Sequence, residues 1–468
     1  MFSKCFLFIT LCIGISVTSS AQTKIASLFS DHMVLQQNAE VAVWGTDRPN
    51  TRIKARTGWG EKSTAVTDES GKWKLSVKTG KAGGPYTLEI KGSEKIVLED
   101  VLLGEVWLCS GQSNMEMPVK GFKGQPVYGS NDLVMNASSP QLRLFHVKRN
   151  MSRQPLDTCQ GAWQRSSPGT VLNFSAVAYM YGKLLQQQIK VPVGIICSSF
   201  GGTRVEAWTS KETLSATGLD VEANRKKNMP EIDKNTSSVL YNGMIRPLIP
   251  YGIKGVIWYQ GESNRGNHEQ YKTLFSAMID SWRSAWNSGE FPFYFAQIAP
   301  FEYKPEVNSA FLREAQLHTM LNTPNTGMAV TLDIGERSCI HPAKKTEVAK
   351  RLVYWALAKT YGYEGIQYSG PVYKSMEVIE NEVRLDFDHA PNGVSGFGRE
   401  LRHFTIAGSD KVFYPAKAEI RRGKLFVSSD NVANPVAVRY GWENYVEGCL
   451  FNLAELPASS FRTDHWEN

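Results

Sequence analysis

Between about Leu102 and Tyr363 the chain alternates short apolar runs with segments of helical periodicity, and no other feature limits its fold as much. The runs at 105–109, 193–198 (Val-Gly-Ile-Ile-Cys-Ser), 254–259 (Lys-Gly-Val-Ile-Trp-Tyr), 292–298 and 327–333 read as buried strands. Helical spacing fills the stretches around 174–189, 269–286, 308–321 and 344–361. Strands joined by helical crossovers pack as a parallel sheet with helices on both faces, so the spacing predicts a three-layer α/β fold.

Either side of this stretch the pattern changes. From about Ile25 to Val101 there are short alternating runs, such as Val41-Ala42-Val43-Trp44 and Trp73-Lys74-Leu75-Ser76-Val77, cut by Gly, Asp, Asn and Ser turns. That is the pattern of an antiparallel β region. It returns after about Gly370, in runs such as Val383-Arg384-Leu385-Asp386-Phe387 and Val436-Ala437-Val438-Arg439-Tyr440. The expected organisation is an N-terminal β domain (22–101), a central α/β domain (102–365) and a C-terminal β-rich region (366–468). The aromatics of the flanking regions, Trp44, Trp59, Trp73, Trp442 and Tyr445, are read as core packing ahead of a sugar-binding platform.

Residues 1–21 carry Lys4, an apolar run from Cys5 to Val17 and the small-residue stretch Thr18-Ser19-Ser20-Ala21, the pattern of a secretory signal cleaved after Ala21. The expectation is an exported protein, periplasmic or secreted, without a membrane span. Five of the seven cysteines lie beyond that segment: Cys109, Cys159, Cys197, Cys339 and Cys449. An odd number cannot pair completely, and their spacing matches no zinc pattern, so most are read as small buried hydrophobes with at most one or two disulfides. The net charge of +7 comes from scattered basic residues, which argues against a nucleic-acid partner. No metal-binding, P-loop or dinucleotide motif occurs, and no cofactor is expected.

Chemistry is expected where the strands end, because in open α/β sheets ligands bind outside the carboxyl ends of the strands. In Gly104-Glu105-Val106-Trp107-Leu108-Cys109-Ser110-Gly111-Gln112-Ser113-Asn114, a strand runs into a turn that Gly111 can bend sharply, leaving the Ser113 hydroxyl as a candidate nucleophile. Three later loops share that location. Ser199-Phe200-Gly201-Gly202-Thr203-Arg204 offers a backbone N–H for an oxyanion, and Tyr259-Gln260-Gly261-Glu262-Ser263-Asn264 offers two side-chain amides for the same purpose. His341, before a helix that starts near Pro342, can deprotonate a serine near neutral pH. His268 is the second choice of base.

Taken together, Gly-Gln-Ser-Asn-Met (111–115), Gly-Gly-Thr-Arg-Val-Glu-Ala-Trp (201–208), Trp-Tyr-Gln-Gly-Glu-Ser-Asn (258–264) and Ile-His-Pro-Ala-Lys-Lys (340–345) resemble the SGNH hydrolases, specifically the sialate O-acetylesterase family of carbohydrate esterases. The resemblance runs from about residue 25 to the end. It implies a flavodoxin-like α/β/α hydrolase domain flanked by sandwich-like β regions, with Ser113 as nucleophile and His341 as base. The oxyanion hole it implies comprises the Ser113 and Gly202 N–H groups and one amide, Gln260 by register or else Asn264. Many relatives in the superfamily carry an aspartate three residues before the histidine, where this chain has Ser338. The orienting acid is then Asp333, or Glu336, or the pair works as a Ser/His dyad.

The activity expected is acyl transfer through Ser113 that releases acetate from an O-acetylated sugar, either sialic acid or an acetylated xyloglucan or xylan. Two other readings stand beside it. One is a glycosidase using paired carboxylates such as Glu206 and Glu262, and the other is a non-catalytic carbohydrate-binding protein on a hydrolase scaffold.

Overall fold

The computed structural model describes residues 22–221, 232–304 and 307–466, so the leader expected at 1–21 lies outside the described residues. At its centre is one strand, β1 (Lys95–Gly111), 17 residues long. Its first half pairs antiparallel with Gly83–Lys91 in the N-terminal β region. Its second half lies in the middle of a parallel sheet, so one continuous backbone crosses the 101/102 boundary and joins the two regions.

The other parallel strands are β2 (Ser139–His146), β3 (Val193–Ser199), β4 (Gly255–Tyr259), β5 (Phe293–Ala296) and β6 (Thr326–Ala329), in the spatial order β2-β3-β1-β4-β5-β6. An antiparallel strand, Trp163–Ser166, closes the edge beside β2. Four of the five expected strands match closely and β1 extends well upstream, whereas β2 had no counterpart in the sequence reading.

Alternate side chains of these strands feed two separate cores. Trp107, Cys109, Ile195, Cys197, Ile257 and Tyr259 face one, and Val106, Leu108, Ile196, Val256 and Trp258 face the other. The first core is covered by helices α2 (Ala176–Ile189) and α5 (Lys345–Trp355), the second by α3 (His268–Trp286) and α4 (Ala310–Asn322). Three layers result, as the alternation predicted. In α3 the buried residues Tyr271, Leu274, Phe275, Met278, Ile279 and Trp282 recur at three- and four-residue spacing and form one apolar stripe. Trp258 sits against that stripe, packed edge-on to both Trp208 and Trp282, contacts that add about 0.5–1.5 kcal/mol each beyond area burial.

The residues after Gly370 form two four-stranded antiparallel sheets and a two-stranded one. They are tied to the α/β layers by Arg313, a fully buried side chain of α4 that donates to the Gly441 carbonyl and to the Ser460 hydroxyl. All five described cysteines are free, and Cys109 and Cys197 stand side by side on β1 and β3 as buried apolar groups. Trp73 is core, as expected. Among the described residues no helix is long and apolar enough to cross a membrane.

Candidate active site

The connections from β1 run first to β2 and β3 on one side of it and then to β4 on the other, so the carboxyl end of β1 is the point where the sheet's winding reverses. A crevice opens at such a point because the loops on either side leave in opposite directions. Gly111 ends the strand there with φ +138°, and a Cβ at that residue would stand 2.2 Å from the Tyr259 carbonyl oxygen. Only glycine permits the approach. It lets the Gln112 N–H donate to Tyr259 O (2.9 Å) while the Phe200 N–H donates to Gly111 O (3.0 Å), which binds three strand ends together. Ser113 follows at the first position of a single helical turn, α1 (Ser113–Glu116), half-buried in the crevice.

His341 reaches Ser113 from the loop before α5, with Nε2 2.8 Å from Ser113 Oγ. Its other nitrogen, Nδ1, lies 2.7 Å from Gln125 Oε1. A carbonyl oxygen only accepts, so the proton resides on Nδ1 and Nε2 is left to accept from the serine. Burial, helped by the nearby Lys345 ammonium, pushes His341 down to about 4. The imidazole is therefore neutral at ordinary pH. Phe122 packs edge-on against it, 5.3 Å between ring centres, and Phe122 and Gln125 exchange both backbone hydrogen bonds across a tight turn.

The Gly201–Gly202 loop lies against the same serine: a Cβ on Gly201 would be 3.2 Å from Ser113 Cβ. The Gly201 N–H donates to Glu116 Oε2 (2.9 Å), the Gly201 carbonyl accepts from Lys234 Nζ (2.7 Å) and the Gly202 carbonyl accepts from Asn235 Nδ2 (3.2 Å). Among the described residues the Gly202 N–H has no acceptor.

The two amides expected beside it are engaged elsewhere. Gln260 Nε2 donates to Thr203 O (3.0 Å) and to Asn264 Oδ1 (2.7 Å), and Gln260 Oε1 accepts from Tyr271 (3.1 Å). Asn264 Nδ2 donates to Glu206 Oε2 (2.8 Å), and both residues are buried. Gln260 and Asn264, expected to offer an amide to an oxyanion hole, here form a knot that fixes the loops around Ser113. Asp333, expected as the orienting acid, is paired with another residue. Both its oxygens accept from the Arg351 guanidinium, at 2.7 Å each, and it makes no ion pair with His341. Glu336 Oε1 accepts the Ala343 N–H at 2.7 Å. His268 stacks on Phe311. The carboxylates of the glycosidase reading, Glu206 and Glu262, are both buried and held by asparagine amides.

Gln125, the partner of His341 Nδ1, is no carboxylate and so did not stand out in the sequence as an orienting group. The signal available was its place in Gly121-Phe122-Lys123-Gly124-Gln125-Pro126, a turn-rich loop directly after the serine segment. A second group unseen in the sequence lies beneath the serine. Asn114 donates to Glu262 Oε1 and to the Ile340 carbonyl (3.1 Å) and accepts from Lys345 Nζ, so one amide links the serine turn, the 260–264 loop and the loop that carries His341. Lys345 is wholly buried and burial pushes it down to about 7, while burial raises Glu262.

Comparison with known proteins matches residues 103–354 to the family described as "carbohydrate esterase, sialic acid-specific acetylesterase". The chain is 31% identical to the sialate O-acetylesterase of Mus musculus, over 94% of each chain. It is 32% identical to that of Homo sapiens, over 78% of this chain and 76% of the relative. Among solved structures, a carbohydrate acetylesterase from Xanthomonas citri superposes with a TM-score of 0.86 at 37% identity, covering 95% of this chain and all of that one.

Proposed function

The chain belongs to the sialic acid-specific acetylesterase family of carbohydrate esterases, and from that premise we propose that it releases acetate by acyl transfer through Ser113, with His341 as base and Gln125 as the group that orients it. The protein is an esterase that removes O-acetyl groups from sugars. The observation that carries the site assignment is the chain Ser113 Oγ, His341, Gln125 Oε1, with separations of 2.8 and 2.7 Å.

In the acylation step His341 Nε2 takes the Ser113 proton as Oγ attacks the acetyl carbonyl carbon. The oxygen that becomes negative is held by the N–H groups of Ser113 and Gly202, the second of which faces no protein acceptor among the described residues. The imidazolium then gives its proton to the departing sugar hydroxyl. Water enters, His341 deprotonates it, and acetate leaves in a mirror-image second step. The imidazolium formed on the way has an amide beside it in place of a carboxylate, so the reaction runs as a dyad with a neutral orienting partner.

The sheet order supports a flavodoxin-like SGNH arrangement: with β2 set aside, the five strands stand in the order 2-1-3-4-5 of that class. The catalytic unit is 102–365, with the flanking β regions as supports, and 1–21 directs export to the periplasm or the medium. N-terminal sequencing of the exported protein should begin at Gln22. The substrate is an O-acetylated sugar, sialic acid or a plant-polysaccharide residue. Acetate release by the wild type and Ser113→Ala from 9-O-acetylated sialic acid, acetylated xyloglucan and acetylated xylan tests the reading. Release that vanishes in the variant is expected, and equal release by both proteins would remove Ser113 from the mechanism.

A further inference from the structure

The hydrogen bonds of the Gly201–Gly202 segment account for three of its four backbone polar groups, with Glu116 on α1 and the neighbouring residues Lys234 and Asn235 as partners. Glu116, on α1, holds the Gly201 N–H and is itself held at its other oxygen by Arg149 Nε (2.6 Å). Asn235 holds the Gly202 carbonyl, and its Oδ1 also accepts the Arg204 N–H (2.8 Å). Lys234 Nζ holds the Gly201 carbonyl at 2.7 Å. The Gly201 carbonyl and the Gly202 N–H are the two ends of one planar peptide unit and, in its trans form, point in opposite directions. A cation fixed on the oxygen therefore leaves the N–H directed away from it.

We propose that Lys234 is a positioning residue for catalysis, acting through the Gly201–Gly202 peptide to aim and strengthen the Gly202 N–H toward the anion formed at Ser113. The proposal rests on the assignment of Ser113 and Gly202 made above. Two physical effects combine. A charged donor on a carbonyl polarises the peptide, and hydrogen bonds in series strengthen one another, so the N–H at the far end becomes a better donor when negative charge develops in front of it. The ammonium also helps to fix the plane of a peptide whose two residues are glycines, with the wide backbone freedom that glycine allows and Gly202 at φ +71°. The space for the lysine depends on glycine as well: a Cβ on Gly202 would stand 2.5 Å from Nζ. Both effects favour the transition state over the bound ester, since the carbonyl oxygen of the ester carries little charge before attack.

The test is steady-state acetate release by the full-length exported protein, comparing the wild type with Lys234→Met, Lys234→Arg and Ser113→Ala. In Lys234→Met, kcat is expected to fall at least about tenfold, with KM within about twofold of wild type, because the contact is realised in the transition state. Lys234→Arg, which keeps a cationic donor, should recover most of that loss. A tetrahedral phosphonate adduct on Ser113 should also form more slowly in Lys234→Met. Unchanged kcat in Lys234→Met overturns the proposal. So does an equal loss in the Arg variant, or a loss matched by a lowered unfolding temperature. If Ser113→Ala retains turnover, the site assignment itself fails, an outcome separate from any result at Lys234.

Discussion

Replacing Gln125 by glutamate tests the base and its partner together, because it alters the charge beside His341 while nearly preserving shape. In the wild type His341 sits at about 4, pushed down first by burial and then by Lys345, with a neutral amide 2.7 Å from Nδ1. The reaction needs the imidazole neutral, so kcat/KM should hold its plateau down to about pH 5, where about nine-tenths of the enzyme is in the competent form. A histidine at its ordinary value near 6.5 would retain only about 3% there. A carboxylate at that position stabilises the imidazolium, and an opposite charge at such a distance shifts a group by about 1–3 units. Each unit corresponds to about 1.36 kcal/mol. The sign follows: Gln125→Glu raises the pKa, so the acid limb of kcat/KM moves to higher pH by about 1–3 units while the alkaline plateau holds or rises. The assay is acetate release from one acetylated sugar across about pH 3.5 to 8, read as kcat/KM so that the free enzyme's titration is reported. A limb that stays in place in the variant would refute Gln125 as the partner of His341. A wild-type limb near 6.5 would refute the neutral, buried base.

Asp333→Asn should lower stability by up to about 3 kcal/mol, since it removes one partner of a mostly buried ion pair with Arg351, yet leave kcat nearly unchanged. A fall in kcat approaching the ~10⁴-fold seen when a triad acid is neutralised would assign Asp333 to the mechanism. Lys345 gives a stability prediction. Its folded value of about 7 lies below its ordinary value of 10.5, so between those limits the unfolded chain binds the extra proton and stability rises with pH. The wild type should gain melting temperature from pH 7 to 9 relative to Lys345→Met, and parallel curves for the two proteins would refute the assignment. Gly111→Ala forces a methyl against the Tyr259 carbonyl at a positive φ, and it should yield little folded protein or, if folded, a serine esterase with turnover reduced at least about a hundredfold. Normal melting and turnover would show that the strand ends are not locked as described.

Much of this molecule was legible in its residues because the signals are local. The strands at 193–199, 255–259, 293–296 and 326–329 and all four long helices follow from apolar spacing, which depends only on how side chains alternate along a strand or wind around a helix. Gly111, Ser113 and His341 stood out because each occupies a strand-end loop, and the side chains of Ser113 and His341 do meet. β2 escaped notice: its residues Ser139–His146 mix Arg143 and Gln141 with apolar ones, and the buried Arg143 guanidinium is satisfied by the Pro140 carbonyl and by Asp100, 43 positions away. The chain's amino-acid sequence thus settled the layered α/β core, the β-rich flanks, the nucleophile candidate and the base candidate. Only the tertiary structure decided which polar side chains find which partners. Asp333 goes to Arg351, Gln260 and Asn264 close on Thr203 and Glu206, and the imidazole is left to Gln125. The reason is physical: a hydrogen bond is a matter of ångströms between groups such as Ser113 and His341 that lie 228 residues apart in the chain, and no local pattern encodes that distance.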